Sequence, residues 1–296
     1  MQVSTMTNLC YSSRGTDVKT SALEASRRLV DAGFVNQDLF LCGLIRPSHN
    51  CSFSGNNWKD EVKELKELAQ QLGINFHQCH LPYYTSKRYD YQNEEFNRFF
   101  WNMFDRGIEI CEMLGIKCAV VHPFTAADAA REDIAVHVAE NRRLYGLHAQ
   151  KAACSGIRFA FENLKGTEVF SACVEDLIAL QQEFQKENSG ICWDVGHGQL
   201  VYGDDQTDAV MQLGSRIIAL HVHDNLGSTD NHFPPFYGVI KWEKLMPALK
   251  KAGYQGYLNY EVASNRNVPD LLRDNVARYC ANAGQVLAQM FEEGSL

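Results

Sequence analysis

The chain of 296 residues is short of features that would place it quickly. Its ten cysteines (Cys10, Cys42, Cys51, Cys79, Cys111, Cys118, Cys154, Cys173, Cys192 and Cys280) stand singly, with no CxxC pair, which argues against a disulfide framework. Cys118 and Cys192 lie inside apolar runs, where a thiol serves as a small hydrophobe. The opening "MQVSTMTNLC" has no basic stretch followed by an apolar one, so no signal peptide is read. No run of about eighteen apolar residues is present, which excludes a spanning helix. Lys and Arg number 28 against 36 Asp and Glu, for a net charge of -8, and that balance disfavours a nucleic-acid backbone as main partner. A reducing cytoplasm is the expected home. A Pro/Gly/Ser-rich linker is also missing, so residues 1–296 are read as one domain.

What is present is a rhythm. The short β-rich runs are "LCYSS", "LFLCGLI", "INFHQCH", "KCAVVH", "IRFAFEN", "GICWDVGH", "IIALHVHD" and "GYLNYEV". Longer helical patterns separate them, as in "VKELKELAQQLG", where Val62, Leu65, Leu68, Ala69 and Leu72 form one stripe. Gly73, Gly115, Gly156 and Gly253 follow such stripes at the place of a helix C-cap. Eight strands alternating with eight helices predict an α/β fold with parallel strands. The count of eight, and no Gly-rich phosphate loop after the first strand, favour a single (β/α)8 TIM barrel over an open doubly wound sheet.

In such a barrel the chemistry belongs at the C-terminal strand ends. There the polar residues fall: His80 in "HLPY", His122 in "VVHPF", Glu162 in "FAFENL", and Asp194 with His197 in "CWDVGHG". His221 and His223 follow in "HVHDN", then Asp230 and His232 in the loop behind, and Glu261 in "LNYEV". A lone histidine at a strand end is ordinarily a hydrogen-bonded cap. Six consecutive strands ending in His, Asp or Glu point instead to a shared metal centre. His49, His137 and His148, in a loop and on helices, are read as structural, and His77 as doubtful.

Glu162, Asp194, His221 and Glu261 supply one nitrogen and three carboxylates, a set suited to Mn, Mg, Co or Zn. Two glutamates about one ion can act as base and acid on a sugar whose C–H the ion acidifies, giving epimerisation or isomerisation through an enediolate. His197 can then bind a substrate hydroxyl. Alternatively, His80 and His122 hold an additional ion with Glu162 bridging, and His197, Asp230 and His232 a third, a centre able to cleave a phosphodiester.

Over its whole length the chain resembles the xylose isomerase-like (AP endonuclease family 2) TIM-barrel superfamily, through "HLPY", "HPF", "FEN", "DVGH", "HVHDN", "DNH" and "YEV". That resemblance implies two site patterns. The epimerase pattern is Glu162, Asp194, His221 and Glu261, with the two glutamates as acid/base pair. The type IV abasic-site endonuclease pattern, with three zinc ions, adds His80, His122, His197, Asp230 and His232. His223 stands where the endonuclease has Asn, and "FPPFYGVIKW" is similar to sugar isomerase-like members. Gly227 replaces an Arg that ketose 3-epimerases place after the strand-7 histidine. The expected activity is a metal-dependent isomerase/epimerase on a sugar, sugar phosphate or polyol; an endonuclease or an inosose-type dehydratase is the alternative. Specificity is expected from "IRPSHNCSFSGNN" and "YYTSKRYDYQNEE"; Lys87 and Arg88 are read as a solvated loop first and as phosphate candidates second, and a homo-oligomer stays open.

Overall fold

The computed structural model describes every residue except 11, 12, 15, 16, 19, 46–50, 85, 263–267 and 294–296. Eight strands carry the fold: β1 (Val3–Met6), β2 (Asn36–Phe40), β3 (Asn75–His80), β4 (Cys118–Val121), β5 (Arg158–Glu162), β6 (Ser189–Asp194), β7 (Ile217–His221) and β8 (Leu258–Tyr260). They pair in parallel in the order β8-β1-β2-β3-β4-β5-β6-β7. Beyond β7 the Val222 amide donates to Asn259 (2.8 Å) and the Glu261 amide to Val222 (3.1 Å), joining the two ends into a (β/α)8 barrel. A short antiparallel pair, Ser13–Arg14 with Asp17–Val18, lies between β1 and the first helix.

Helices α1 (Ala22–Asp31), α2 (Trp58–Leu72), α3 (Glu94–Leu114), α4 (Ile134–Cys154), α5 (Val174–Glu183), α6 (Val195–Tyr202), α7 (Gln206–Leu213), α8 (Trp242–Lys251) and α9 (Asp270–Glu293) occupy the connections and the C-terminal segment. The expected stripe on α2 is the face that packs inward, with Val62, Leu65 and Leu68 buried. Gly73 and Gly115 end α2 and α3 in the left-handed conformation (φ 68° and 78°), which glycine adopts without steric cost.

Two strands lie earlier than the apolar runs suggested. β1 is "VSTM", ahead of "LCYSS": Thr7–Cys10 forms a 3-10 turn, and residues 11 and 12 of the expected run lie outside the described residues. Likewise β2 is "NQDLF", and Cys42–Ile45 in "LFLCGLI" is a 3-10 turn. Both strands hide behind polar residues. Ser4, Gln37 and Asp38 are buried, and inside the barrel Asn259 donates to Asp38 (2.9 Å) while Ser4 donates to Asn259 (2.9 Å). α6 is the third difference: it takes "VGH" out of the expected sixth strand, because the Asp194 side chain accepts from the His197 amide (2.7 Å) and starts a helix.

The interior is layered, and the layering positions the site. Val120, Ala160, Cys192 and Ala219 pack together, one each from β4 to β7. Side chains two residues apart share one face of a strand. The next inward residues are therefore His122, Glu162, Asp194 and His221, with His80 following Gln78 and Glu261 following Asn259 in the same way.

Asp224 takes a different role from the ligand-type residues around it. Fully buried, it accepts from the amides of Asn225 (2.9 Å), Phe236 (3.1 Å) and Ile240 (3.2 Å) and from the Trp242 indole (3.2 Å). It thereby fastens the loop that carries Asp230 and His232. Asp224→Ala leaves buried donors without an acceptor and is expected to cost about 2–4 kcal/mol. Urea denaturation checks this; a midpoint matching the parent chain would show that the loop holds itself.

Candidate functional site

At the C-terminal mouth, Glu162, Asp194, His221 and Glu261 bring ligand atoms within 4.8 Å of one another. His221 Nδ1 lies 3.1 Å from Glu162 Oε1 and 3.0 Å from Glu261 Oε2. His221 and Glu162 are buried, whereas the Glu261 side chain keeps 14% exposure toward the mouth. A second group shares Glu162: its Oε2 is 3.3 Å from His80 Nε2 and 3.0 Å from His122 Nε2. A third comprises His197, His223, Asp230 and His232. Asp194 joins it to the first group, with an oxygen 3.0 Å from His223 Nε2. All nine residues expected from the two site patterns thus meet in one mouth.

Backbone carbonyls set the tautomers. Nδ1 of His80 lies 2.8 Å from the Leu81 oxygen, Nδ1 of His197 2.8 Å from the Asn163 oxygen, and Nδ1 of His232 2.8 Å from the Glu261 oxygen. A carbonyl only accepts, so each Nδ1 carries a proton and each Nε2 turns into the cluster. Nε2 of His80 then faces His122 Nε2 at 3.2 Å as well as Glu162. Glu162 Oε2, Glu261 Oε2, Asp230 Oδ1, His223 Nδ1 and both ring nitrogens of His221 are buried without a hydrogen-bond partner. Lone pairs converging in this way require cations between them, either protons or a metal. This donor set fits a divalent ion, and the carbonyl locks are the outer contacts that orient metal-binding imidazoles.

In the absence of an ion, protons fill that role. Burial opposes it, but Asp194 and Asp230 push the His197 imidazole up to about 9. Burial likewise works against His232, which Asp230 and Glu261 raise to about 10. Burial favours a neutral Glu162, yet His221 and His122 hold it well below the usual carboxylate range. Glu261 is depressed by His221 and His232 against its own burial, and Asp230 by His197 and His232. His122 alone among these imidazoles is lowered, chiefly by burial.

Local sequence explains these positions. The Asn163 side chain donates to the Asp194 carbonyl (2.9 Å) and accepts from the Asp194 amide (2.6 Å), fixing the strand end beside Glu162. Gly196 admits the His223 ring, since a Cβ there would lie 1.9 Å from His223 Cε1. His232 adopts a left-handed backbone (φ 50°), a conformation uncommon outside glycine that its bond to Glu261 helps to hold.

Five site neighbours lie outside the ligand sets read from the sequence. His223 stands in the strand-end cluster of the sequence without an assigned ligand role. Asp38 lies 3.8 Å from His221 Nε2 and accepts from Gln78 (2.7 Å); its place on a strand without an apolar signal concealed it. Asn163 and Lys165 flank Glu162 in "ENLK", and the Lys165 ammonium sits 2.7 Å from Asp230 Oδ2. Tyr83 stacks on His122 at 4.5 Å. The histidines read as structural behave so: His137 accepts from the Ala126 amide and binds the Ala130 carbonyl, and His148 stacks on Trp101. His49 lies outside the described residues. His77 meets Ser4 Oγ at 2.7 Å and stacks on Tyr257, away from the cluster. Of the phosphate candidates, Arg88 is tied to the Ala126 and Ala127 carbonyls and Lys87 to the Lys165 carbonyl (2.9 Å).

Fold and site define a (β/α)8 barrel with a dense carboxylate–imidazole cluster at its C-terminal mouth. The chain belongs to the xylose isomerase-like TIM barrel family, whose model matches residues 42–281. Two relatives are similar in sequence. The uncharacterized protein y4fM of Sinorhizobium fredii is 33% identical over 89 residues, 30% of this chain and 28% of that protein. The uncharacterized protein MJ1311 of Methanocaldococcus jannaschii is 25% identical over 214 residues, 72% of this chain and 71% of that one. Among solved structures, a D-tagatose 3-epimerase-like protein superposes with a TM-score of 0.75 at 19% identity, covering 99% of each chain. An L-ribulose 3-epimerase does so at 0.74 and 14%, covering 99% of this chain and 96% of that one. D-psicose 3-epimerase of Clostridium cellulolyticum H10 gives 0.72 and 15%, covering 97% and 99%. These likenesses establish the shared fold. Among the described residues no helix is long and apolar enough to cross a membrane.

The raised imidazoles stabilise the folded state most fully below their unfolded pKa of about 6.5, and lose that contribution as pH climbs through about 9 and 10. The depressed carboxylates act in the opposite sense, losing theirs in acid. Chelator-treated protein is therefore expected to melt at falling temperature from pH 6.5 to 10, with the decline removed by a divalent ion that replaces the protons. Scanning calorimetry across that range checks this; a midpoint independent of alkaline pH would contradict it.

Proposed function

We propose that residues 1–296 form a single catalytic domain, a divalent-metal-dependent isomerase or epimerase acting on a sugar, sugar phosphate or polyol. The observation that supports it most is the placement of Glu162 and Glu261 against one nitrogen of His221, at 3.1 and 3.0 Å. Glu162, Asp194, His221 and Glu261 would hold the ion, and Mn, Mg, Co and Zn all suit their donors. When bound, such an ion supplies Lewis acidity that weakens the C–H bond between a sugar's carbonyl and hydroxyl.

The chain's own groups supply the rest. Glu162 and Glu261 are both kept ionised by their imidazole neighbours, so either can accept a proton from carbon. In our reading one takes the proton and the other returns one, through an enediolate of the sugar. The partial exposure of Glu261 marks the side from which substrate enters. His197, anchored through Nδ1, presents Nε2 to a substrate hydroxyl. The comparisons agree with this reading, since the three solved structures named above are sugar 3-epimerases or like one.

A second reading has one observation in its favour. Every residue of the three-zinc endonuclease pattern reaches the mouth, including His80, His122, Asp230 and His232. The chain's net charge of -8 weighs against a duplex as substrate.

Purified protein with Mn and a panel of sugars, sugar phosphates and inositol derivatives in deuterated water is expected to place solvent deuterium on substrate carbon. Glu261→Gln should slow that exchange by roughly 10²–10⁴-fold with the fold retained, the range that general acid–base groups contribute. No exchange with any member of the panel would remove the proposal's support. Three tightly held zinc ions with nicking of an abasic duplex would establish the second reading, and a product lighter by one water would mark a dehydratase.

A further inference from the structure

The third group differs from the other two in already having a cation beside it. Lys165 Nζ lies 2.7 Å from Asp230 Oδ2. The same oxygen is the one that faces His232 Nε2 at 3.2 Å and His197 Nε2 at 3.4 Å. Asp230 is therefore the only carboxylate of its group, and its shared oxygen is taken by an ammonium that the chain itself supplies. Its other oxygen, Oδ1, is buried without a hydrogen-bond partner, 3.7 Å from His223 Nε2.

Covalent placement makes this ammonium a built part of the mouth. Glu162 is a ligand-type residue of two groups, Asn163 clamps Asp194 and accepts from His197, and Lys165 follows two residues later. The backbone at Lys165 is held in turn by the Lys87 ammonium, which donates to its carbonyl at 2.9 Å. The Lys165 side chain is nonetheless 49% exposed, whereas Asp230 is 7% exposed. The partner that can move is the lysine. It can swing into water without disturbing the carboxylate it leaves.

We propose that the Lys165 ammonium is the resident cation of the His197/His223/Asp230/His232 group and competes there with a divalent ion. The first group, which no lysine reaches among the described ion pairs, then takes one ion tightly, the second group draws on the same Glu162, and an ion enters the third group only by displacing Lys165. The competition is electrostatic: a point charge on a flexible stem neutralises the carboxylate that a metal would otherwise use. The inference deepens the proposed function, because it makes occupation of the third group depend on a residue of the chain itself. It rests on that reading only for its biological meaning.

The test reads metal binding and not turnover, so its failure is distinct from a failure of the sugar reaction. Chelator-stripped full-length protein is titrated with Co(II), following both the heat of binding and the visible absorption of the ion. The parent chain is expected to show one tight step and a weak second one. Lys165→Met is expected to tighten the second step about tenfold or more and leave the first unchanged, as removal of a competing charge-assisted contact requires. Asp230→Asn in the same background should abolish the gain. Lys165→Arg, which restores a cation, should return the second step toward its parent affinity. Equal second-step affinity in the parent and Lys165→Met, or a gain that survives Asp230→Asn, would overturn the proposal.

Discussion

The mouth of this barrel is governed by one constraint: acidic and imidazole side chains from six strands are buried together, and their lone pairs must be separated by positive charge. Glu162 alone approaches His80, His122, His197 and His221 within 3.6 Å. Burying a carboxylate without a partner costs several kcal/mol. Such a cluster persists only because something cationic is always present: protons on the imidazoles, an ammonium, or a metal ion. These three are interchangeable in sign but differ in reach. Protons on His197 and His232 are lost as pH climbs through about 9 and 10, an ammonium is tethered to one loop, and a metal can draw four ligands to one point.

That exchange connects stability to chemistry. A site held by imidazolium–carboxylate pairs must give up protons to receive an ion, so the groups that stabilise the fold without a metal are the groups that would bind one. The carbonyl locks on His80, His197 and His232 matter because they fix which nitrogen gives up its proton. They also orient these histidines in advance of any ion the site would take. Preorganisation of this kind is what lets acid and base carboxylates act on a substrate without first being moved into place.

Much of this was legible in the sequence, and for a simple geometric reason. Strand side chains alternate, so a ligand two residues beyond a small interior residue must enter the mouth; "AFE", "CWD" and "ALH" each spell that rule. Periodicity likewise marks the long helices such as α2 and α3 and their glycine ends, though not α6. What stayed hidden was polar where a core residue was expected. β1 and β2 carry buried polar residues, Ser4 and Asp38 toward the interior and Gln37 toward α1, so neither shows an apolar run, and the Asp38 beside His221 went unseen with them. His223 and Lys165 were visible as letters but not as neighbours. Their meaning depends on Asp230 folding back from a loop, and the distance from residue 165 to residue 230 cannot be read along a chain.

The loop that makes the fold-back possible owes its shape to Asp224, a residue that ligand counting alone would have added to the metal set. Its oxygens are already occupied by three amides and an indole, so nothing remains for an ion. Asp230, six residues on, has the opposite character, with one oxygen buried and unpartnered and the other shared among cations. Two aspartates in one short segment thus divide the work, one spending its lone pairs on backbone geometry and the other keeping them for charge. The division is enforced by depth: Asp224 is fully buried under Trp242, where amides from its own loop reach it first, while Asp230 lies nearer the rim where histidines and a half-exposed lysine meet it. Which carboxylates can serve chemistry is decided by what the backbone has not already claimed.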